Sequence, residues 1–269
     1  MPPIDPCVPL VAVPLLAVIV PVRNEAENIL PLVAEISAAL AAVPHEIIYV
    51  DDGSSDATPD RLAEAQCRTP ALRWLRHRAS CGQSAAIVTG IRAARAPFIA
   101  TLDGDGQNDP ADIVRLLERA RQEPATTLIA GHRVNRRDSR VKRLSSRIAN
   151  RTRAALLGDD TADTGCGLKV FARETFLRLP AFDHMHRFLP ALFIREGGRV
   201  ISLPVSHRAR RHGASNYGTF DRLWVGLVDI AGVIWLQRRW RRPVLGAVVP
   251  IEEPVVHAVR EPAIAAQDG

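Results

Sequence analysis

The strongest constraint on the fold is a series of strand-length segments alternating with helical patterns, the first of them an unbroken apolar run. That run is Leu15-Leu16-Ala17-Val18-Ile19-Val20, apolar at every position with no alternation. A strand reads that way when both of its faces are covered, as in a parallel sheet packed between helices. The pattern then repeats: a helix from about Glu27 to Ala42, a strand at Glu46–Val50, a helix at Thr58–Gln66 and a strand at Leu72–Arg76. A helix at Gly82–Ala94, a strand at Phe98–Leu102, a helix at Pro110–Gln122 and a strand at Thr127–Ala130 follow. Strand and helix alternating through short connections predict βαβ units, and hence an α/β fold with a mostly parallel central sheet flanked by helices.

Three of these strands end in polar clusters: Pro21-Val22-Arg23-Asn24-Glu25, Asp51-Asp52-Gly53-Ser54 and Asp103-Gly104-Asp105. A parallel sheet gathers such ends along one edge, where open α/β sheets bind ligands. Asp103 and Asp105 converge only if the chain turns between them. Gly104 and Gly106 ease that turn. With the amide oxygen of Gln107 the two acids form a hard, oxygen-rich set suited to Mg²⁺ or Mn²⁺. An ion held by so few protein groups keeps open positions for substrate phosphates. Glu25, Asp52, Asp103 and Asp105 on one edge would repel one another, and a nucleotide diphosphate with its metal would relieve that crowding. The first turn lacks G-x-G-x-x-G and the chain has no Walker A sequence, so metal and side chains, not a glycine cradle, are expected to hold phosphate.

A net charge of +6 and a pI near 9.7 point to an anionic partner: nucleic acid, a membrane surface or a phosphorylated substrate. Four acids on one sheet edge would repel nucleic acid and argue against a nucleic-acid-binding domain. The basic charge concentrates in residues 132–153, where nine Arg and Lys face Asp138 alone. Cys7, Cys67, Cys81 and Cys166 form no C-x-x-C pair, which argues against a zinc ribbon and for a reducing compartment. The first residues are not those of a basic leader.

The chain divides into a Pro-rich tail (1–13), one catalytic domain (14–219), a helix at 220–242 and a tail (243–269) that reads as disordered. Within the domain, strands are expected at Leu168–Phe171 and Val200–Val205, with a helical stretch at Arg187–Glu196 between them. The apolar part of 220–242 is shorter than the ~20 residues of a spanning helix and carries Asp229 midway. Tryptophans beside arginines suit a membrane interface; a core or dimer-interface helix is the other reading. A homo-oligomer stays open. The histidines His184, His186, His207 and His212 show no regular metal-ligand spacing, and His186 and His207 read as substrate-site or packing residues.

The set Val18–Glu25, Val50–Asp56, Gly82–Ala86 and Leu102–Gln107 resembles the family 2 glycosyltransferases of GT-A fold. Asp163-Thr164-Gly165-Cys166-Gly167-Leu168-Lys169-Val170-Phe171 and His186-Arg187-Phe188-Leu189-Pro190 narrow the resemblance to the polyprenyl-phosphate branch, the dolichol-phosphate mannose synthase-like enzymes. The resemblance covers roughly residues 14–242. It implies an inverting, metal-dependent enzyme that moves a sugar from a UDP- or GDP-sugar to a polyprenyl phosphate, for cell-envelope glycan or lipid A modification. It further implies a peripheral position on the cytoplasmic side of the cell membrane, against its anionic surface.

Carried onto this chain, the resemblance places Pro21, Arg23, Asn24, Glu25, Asp52, Gly82 and Gly104 at the donor nucleotide, together with Asp103 and Asp105. Asp103, Asp105 and Gln107 would hold the metal. Arg133, Arg143, Ser146 and Arg147 would meet the acceptor phosphate. Arg210, Arg211 and Ser215 match an R-x-x-G-x-S-K segment near the phosphates, with Asn216 where that pattern has lysine. Asp103, Asp105 and Arg133 are the expected catalytic residues. A lipid phosphate is already ionised at neutral pH, its second pKa being ~6, and needs no strong base. A hydroxyl acceptor would need one, with Asp163 as the available candidate.

Overall fold

A computed structural model describes residues 13–134, 156–159, 161, 163–209 and 219–239, with side chains in the last stretch at 226 and from 228 onward. The expected tails and most of the basic run lie outside the described residues.

The elements follow the expected alternation. β1 (Leu16–Val22), α1 (Ala26–Ala39), β2 (His45–Asp51), α2 (Thr58–Arg68), β3 (Leu72–Arg76), α3 (Gln83–Ala93) and β4 (Phe98–Thr101) make the first half. α4 (Asp112–Arg121), β5 (Thr127–Arg133), β6 (Lys169–Ala172), α5 (Arg173–Leu177), α6 (Leu189–Arg195), β7 (Arg199–Val205) and α7 (Thr219–Arg239) complete it. The strands form one sheet in the order β3-β2-β1-β4-β6-β5-β7. β6 runs antiparallel to both of its neighbours, and the remaining pairs are parallel. The short helix α5 was not expected from the sequence.

The unbroken apolar strands are explained by a core on each face. Leu16, Val18, Val20 and Val22 of β1 join one core, whereas Ala17 and Ile19 join the other. The first core packs under Ile29, Leu32 and Ile36 of α1 and Ile113, Leu116 and Leu117 of α4. The second packs under Ile87 and Ile91 of α3 and Leu192 and Phe193 of α6. Period-two alternation therefore persists along β1, but both sides of it are apolar.

α7 combines the two readings of its sequence. Val233 is fully buried in the second core, with Ile230 and Ile234 packed beside it. Gln237 Nε2 donates to the Leu157 carbonyl at 2.9 Å, and Asp229 Oδ2 lies 3.1 Å from His184 Nδ1. The outward side carries Val228 and Trp235, 56% and 58% exposed, ahead of Arg238 and Arg239. Among the described residues no helix is long and apolar enough to cross a membrane.

At the amino end of the sheet, away from the polar strand ends, Glu46 holds three segments together. Its carboxylate is 3% exposed as a residue, accepts the amides of Arg95 (2.6 Å) and Ala96 (3.0 Å), and pairs with Arg73 at 3.0 Å. Glu46→Ala leaves those amides unsatisfied and is expected to cost about 2 kcal/mol in urea unfolding at pH 7. A loss below about 0.5 kcal/mol would contradict this anchoring role.

Candidate active site

The ends of β1 and β2 are laced together by side chains. Asn24 adopts a left-handed backbone (φ 56°), its amide donates to Ser54 Oγ at 2.9 Å, and its Oδ1 accepts the Ser55 amide at 2.9 Å. The Glu25 amide donates to Thr58 Oγ1 at 2.9 Å, and Glu25 Oε2 accepts from Asn28 Nδ2 at 2.6 Å. Arg23 is exposed beside this join, and Pro21 forms part of the wall of a cleft described below.

Asp52 turns inward. It is 4% exposed, and its two oxygens accept four hydrogen bonds: His77 Nδ1 (2.7 Å), the Cys81 amide (2.8 Å), Ser80 Oγ (2.7 Å) and the Gly82 amide (2.9 Å). Burial alone would raise this carboxyl, but the Cys81 amide, His77, Ser80 and the Gly82 amide hold it below the usual range. Asp52, His77 and Cys81 do bring three ligand-type atoms within 4.8 Å of one another. A carboxylate has about four lone-pair sites, and here four donors of the protein take them and hold the 77–82 loop.

Asp103 and Asp105 follow β4 at the same edge. The turn between them is forced close to β1, since a Cβ on Gly104 would fall 2.4 Å from Val22 Cγ1. Asp103 Oδ1 accepts from Gln83 Nε2 at 3.0 Å, and Asp105 Oδ1 accepts the Gln107 amide at 3.1 Å. A Cβ on Gly167 would fall 2.1 Å from Asp103 Oδ2, so only glycine fits opposite this carboxylate. Burial and the charge of Asp105 push the Asp103 carboxyl up, against the pull of Lys169 and Arg133. Lys169, from β6, is itself 4% exposed and donates to the Cys166 carbonyl; burial pulls its ammonium down. The segment after β7 crosses this loop: the Arg208 amide donates to the Gln107 carbonyl at 2.8 Å, and Arg208 Nη1 pairs with Glu35 at 2.7 Å.

Arg133 ends β5 and points at Asp163. Nε and Nη2 donate to the two carboxylate oxygens at 2.7 and 2.8 Å, a bidentate pair with both side chains largely shielded. The bond to Asp163 raises the Arg133 guanidinium further above its usual value.

The structure thus brings Pro21, Gln83, Asp103, Gly104, Asp105, Gln107 and Arg133 to one edge. Arg143, Ser146, Arg147, Arg210, Arg211 and Ser215 lie outside the described residues. The expected crowding of four carboxylates reduces to two: Asp52 is saturated by donors and Glu25 accepts from Asn28, which leaves Asp103 against Asp105. Gln83 and Lys169 were given no role by sequence reasoning. Their signals were a glutamine opening a helix that points at the edge and a lysine within the apolar run Leu168–Phe171.

The fold and its strand-end acids define a nucleotide-sugar transferase of GT-A type. Residues 17–179 match the model of glycosyl transferase family 2, and the chain belongs to that family. It is 37% identical over 235 residues to a dodecaprenyl-phosphate galacturonate synthase of Rhizobium johnstonii, covering 85% of this chain and 69% of the relative. It is 31% identical over 207 residues to an undecaprenyl-phosphate 4-deoxy-4-formamido-L-arabinose transferase of Aeromonas hydrophila, covering 76% of this chain and 63% of the relative. The chain therefore spans about two thirds of the length of these relatives. Among solved structures, a glucosyl-3-phosphoglycerate synthase from Mycobacterium tuberculosis bound to Mn²⁺, UDP and glucosyl-3-phosphoglycerate superposes with a TM-score of 0.61 at 20% identity. That match covers 83% of this chain and 80% of the neighbour, and it establishes the shared fold.

The Asp52 hydrogen bonds give a pH signature. A carboxyl whose native pKa lies below its unfolded value stabilises the fold fully above about pH 4, and that contribution is lost as pH falls through the lowered native value. Asp52→Asn is expected to cost about 2 kcal/mol at pH 7, with the gap to wild type narrowing as pH drops below about 4. Urea unfolding across that range checks it; a gap independent of pH would contradict the assignment.

Proposed function

We propose that the protein transfers a sugar, with inversion, from a UDP-sugar to the phosphate of a polyprenyl phosphate, with Mg²⁺ or Mn²⁺ at Asp103 and Asp105. The observation that carries the reading is the Asp103–Asp105 pair at the carboxyl edge of the sheet, poised in mutual repulsion. The donor set fits a divalent ion: two carboxylates with Gln107 beside them are hard oxygen groups, and a cation would favour the ionised form of Asp103, which burial first and the charge of Asp105 second push up. Such an ion, when bound, would neutralise charge gathering on the departing diphosphate. Gln83 and Gly167 fix the Asp103 carboxylate for that task. UDP in the M. tuberculosis neighbour favours a uridine donor. The galacturonate relative makes UDP-galacturonic acid the first donor to try.

The acceptor follows from Asp163. A hydroxyl acceptor needs a carboxylate free to take a proton, but both Asp163 oxygens are engaged by Arg133. A phosphate arrives ionised and needs positioning between cations instead. Arg133, fixed by Asp163, stands at the start of the basic run and would orient that phosphate. The names of the relatives support the same acceptor class. The outward side of α7, with Trp235 ahead of Arg238 and Arg239, suits a peripheral seat on an anionic membrane, which we place on the cytoplasmic side.

Purified protein, Mn²⁺ and radiolabelled UDP-sugars are to be incubated with undecaprenyl phosphate and extracted with organic solvent. Label should enter the organic phase only with metal and lipid phosphate both present, and Asp105→Ala should lower the rate by about 10²-fold or more. Metal-dependent transfer to a soluble saccharide, with none to lipid, would establish a hydroxyl acceptor instead. Wild-type rates in Asp105→Ala would remove the metal assignment.

A further inference from the structure

The family's nucleotide and metal residues leave one buried pair unexplained, Ser84 with His186. Ser84 lies in the first turn of α3 and is buried. Its Oγ accepts the backbone amide of His186 at 3.2 Å and lies 2.7 Å from His186 Nδ1. The accounting fixes the tautomer. The serine proton has no other acceptor among the described residues, so donation to Nδ1 satisfies the buried hydroxyl, and in the neutral ring the remaining proton then sits on Nε2. Burial, with Lys169 and Arg187 nearby, holds the imidazole down to about 3, so it stays uncharged at physiological pH.

His186 lines a cleft together with Asp103, Gln83, Thr101, Gly167 and Lys169. Three other donors in that wall each make a bond within the protein. Gln83 donates to Asp103, Thr101 Oγ1 donates to the Gly167 carbonyl at 2.7 Å, and Lys169 donates to the Cys166 carbonyl. No described group accepts from His186 Nε2. The cleft holds about 270 Å³ counted to its open mouth.

We propose that this cleft receives a hydroxyl group of the donor's sugar, with His186 Nε2–H as its hydrogen-bond donor and the Asp103 carboxylate as its acceptor. The inference rests on the nucleotide-sugar reading above and adds the residue that feels the sugar and not the nucleotide. A neutral N–H matches an uncharged hydroxyl. Ser84 is the positioning residue that aims the ring.

The test separates sugar from nucleotide. Calorimetry with Mn²⁺ present would compare UDP, UDP-glucose and UDP-galacturonic acid on wild type, His186→Ala and His186→Gln. The expected result is unchanged UDP affinity in both variants. His186→Ala should weaken the tighter-binding sugar nucleotide about tenfold, and His186→Gln, which keeps an N–H donor, should restore most of it. A parallel loss of UDP affinity, or sugar-nucleotide affinity unmoved by His186→Ala, would overturn the proposal. So would wild-type protein that binds UDP but neither sugar nucleotide. Wild-type protein that binds none of the three would instead overturn the donor reading beneath it.

Discussion

The site depends on one buried carboxylate. Asp52, at the end of β2, ties down the loop at 77–82 through four hydrogen bonds, two of them from the amides that immediately precede α3. Those bonds fix where α3 begins. Its first two residues then do separate work: Gln83 orients Asp103, and Ser84 orients His186. A single fixed helix start thereby sets two side chains of the cleft, and neither needs a long flexible arm to reach it. Burying an ionised group costs free energy unless donors surround it, and here the donors are the loop that the site requires in place.

A second theme is the balance of charge beneath the strand ends. Asp103 and Asp105 repel, Lys169 and Arg133 oppose that repulsion from the other side, and Asp163 engages Arg133. Asp103 keeps a raised carboxyl even with two cations nearby, through its burial first and the charge of Asp105 second. A divalent ion would supply positive charge there and suits the oxygen ligands present. Gly104 and Gly167 make the arrangement compact, because a side chain at either position would collide with β1 or with Asp103 itself.

Much of this was legible in the sequence. β1, the middle of β2, β4 and the start of β5 show as apolar runs, β3 does not, and the acids after β1, β2 and β4 converge because parallel strands share one edge. The direction of β6 was not legible, since Leu168–Phe171 reads like any covered strand and its orientation is set by the connection that precedes it. Nor could spacing distinguish Asp52 from Asp103. Both follow a strand and both neighbour a glycine, and only the fold of the 77–82 loop shows that one is spent internally. The pairing of Arg133 with Asp163 spans thirty residues and depends on β5 and the β6 approach lying side by side. In α7 the sequence offered a buried helix or a surface helix, and its two sides meet each description in turn.

The central claim is that the cation and diphosphate belong at Asp103 and Asp105, not at the nearby Asp52, His77 and Cys81. The most direct measurement is a crystal structure with UDP and Mn²⁺, with the ion located by its anomalous scattering. The account predicts one manganese peak at Asp103 and Asp105 beside the diphosphate, with the four Asp52 hydrogen bonds intact. A peak between Asp52, His77 and Cys81, or UDP bound away from the β4 loop, would contradict it.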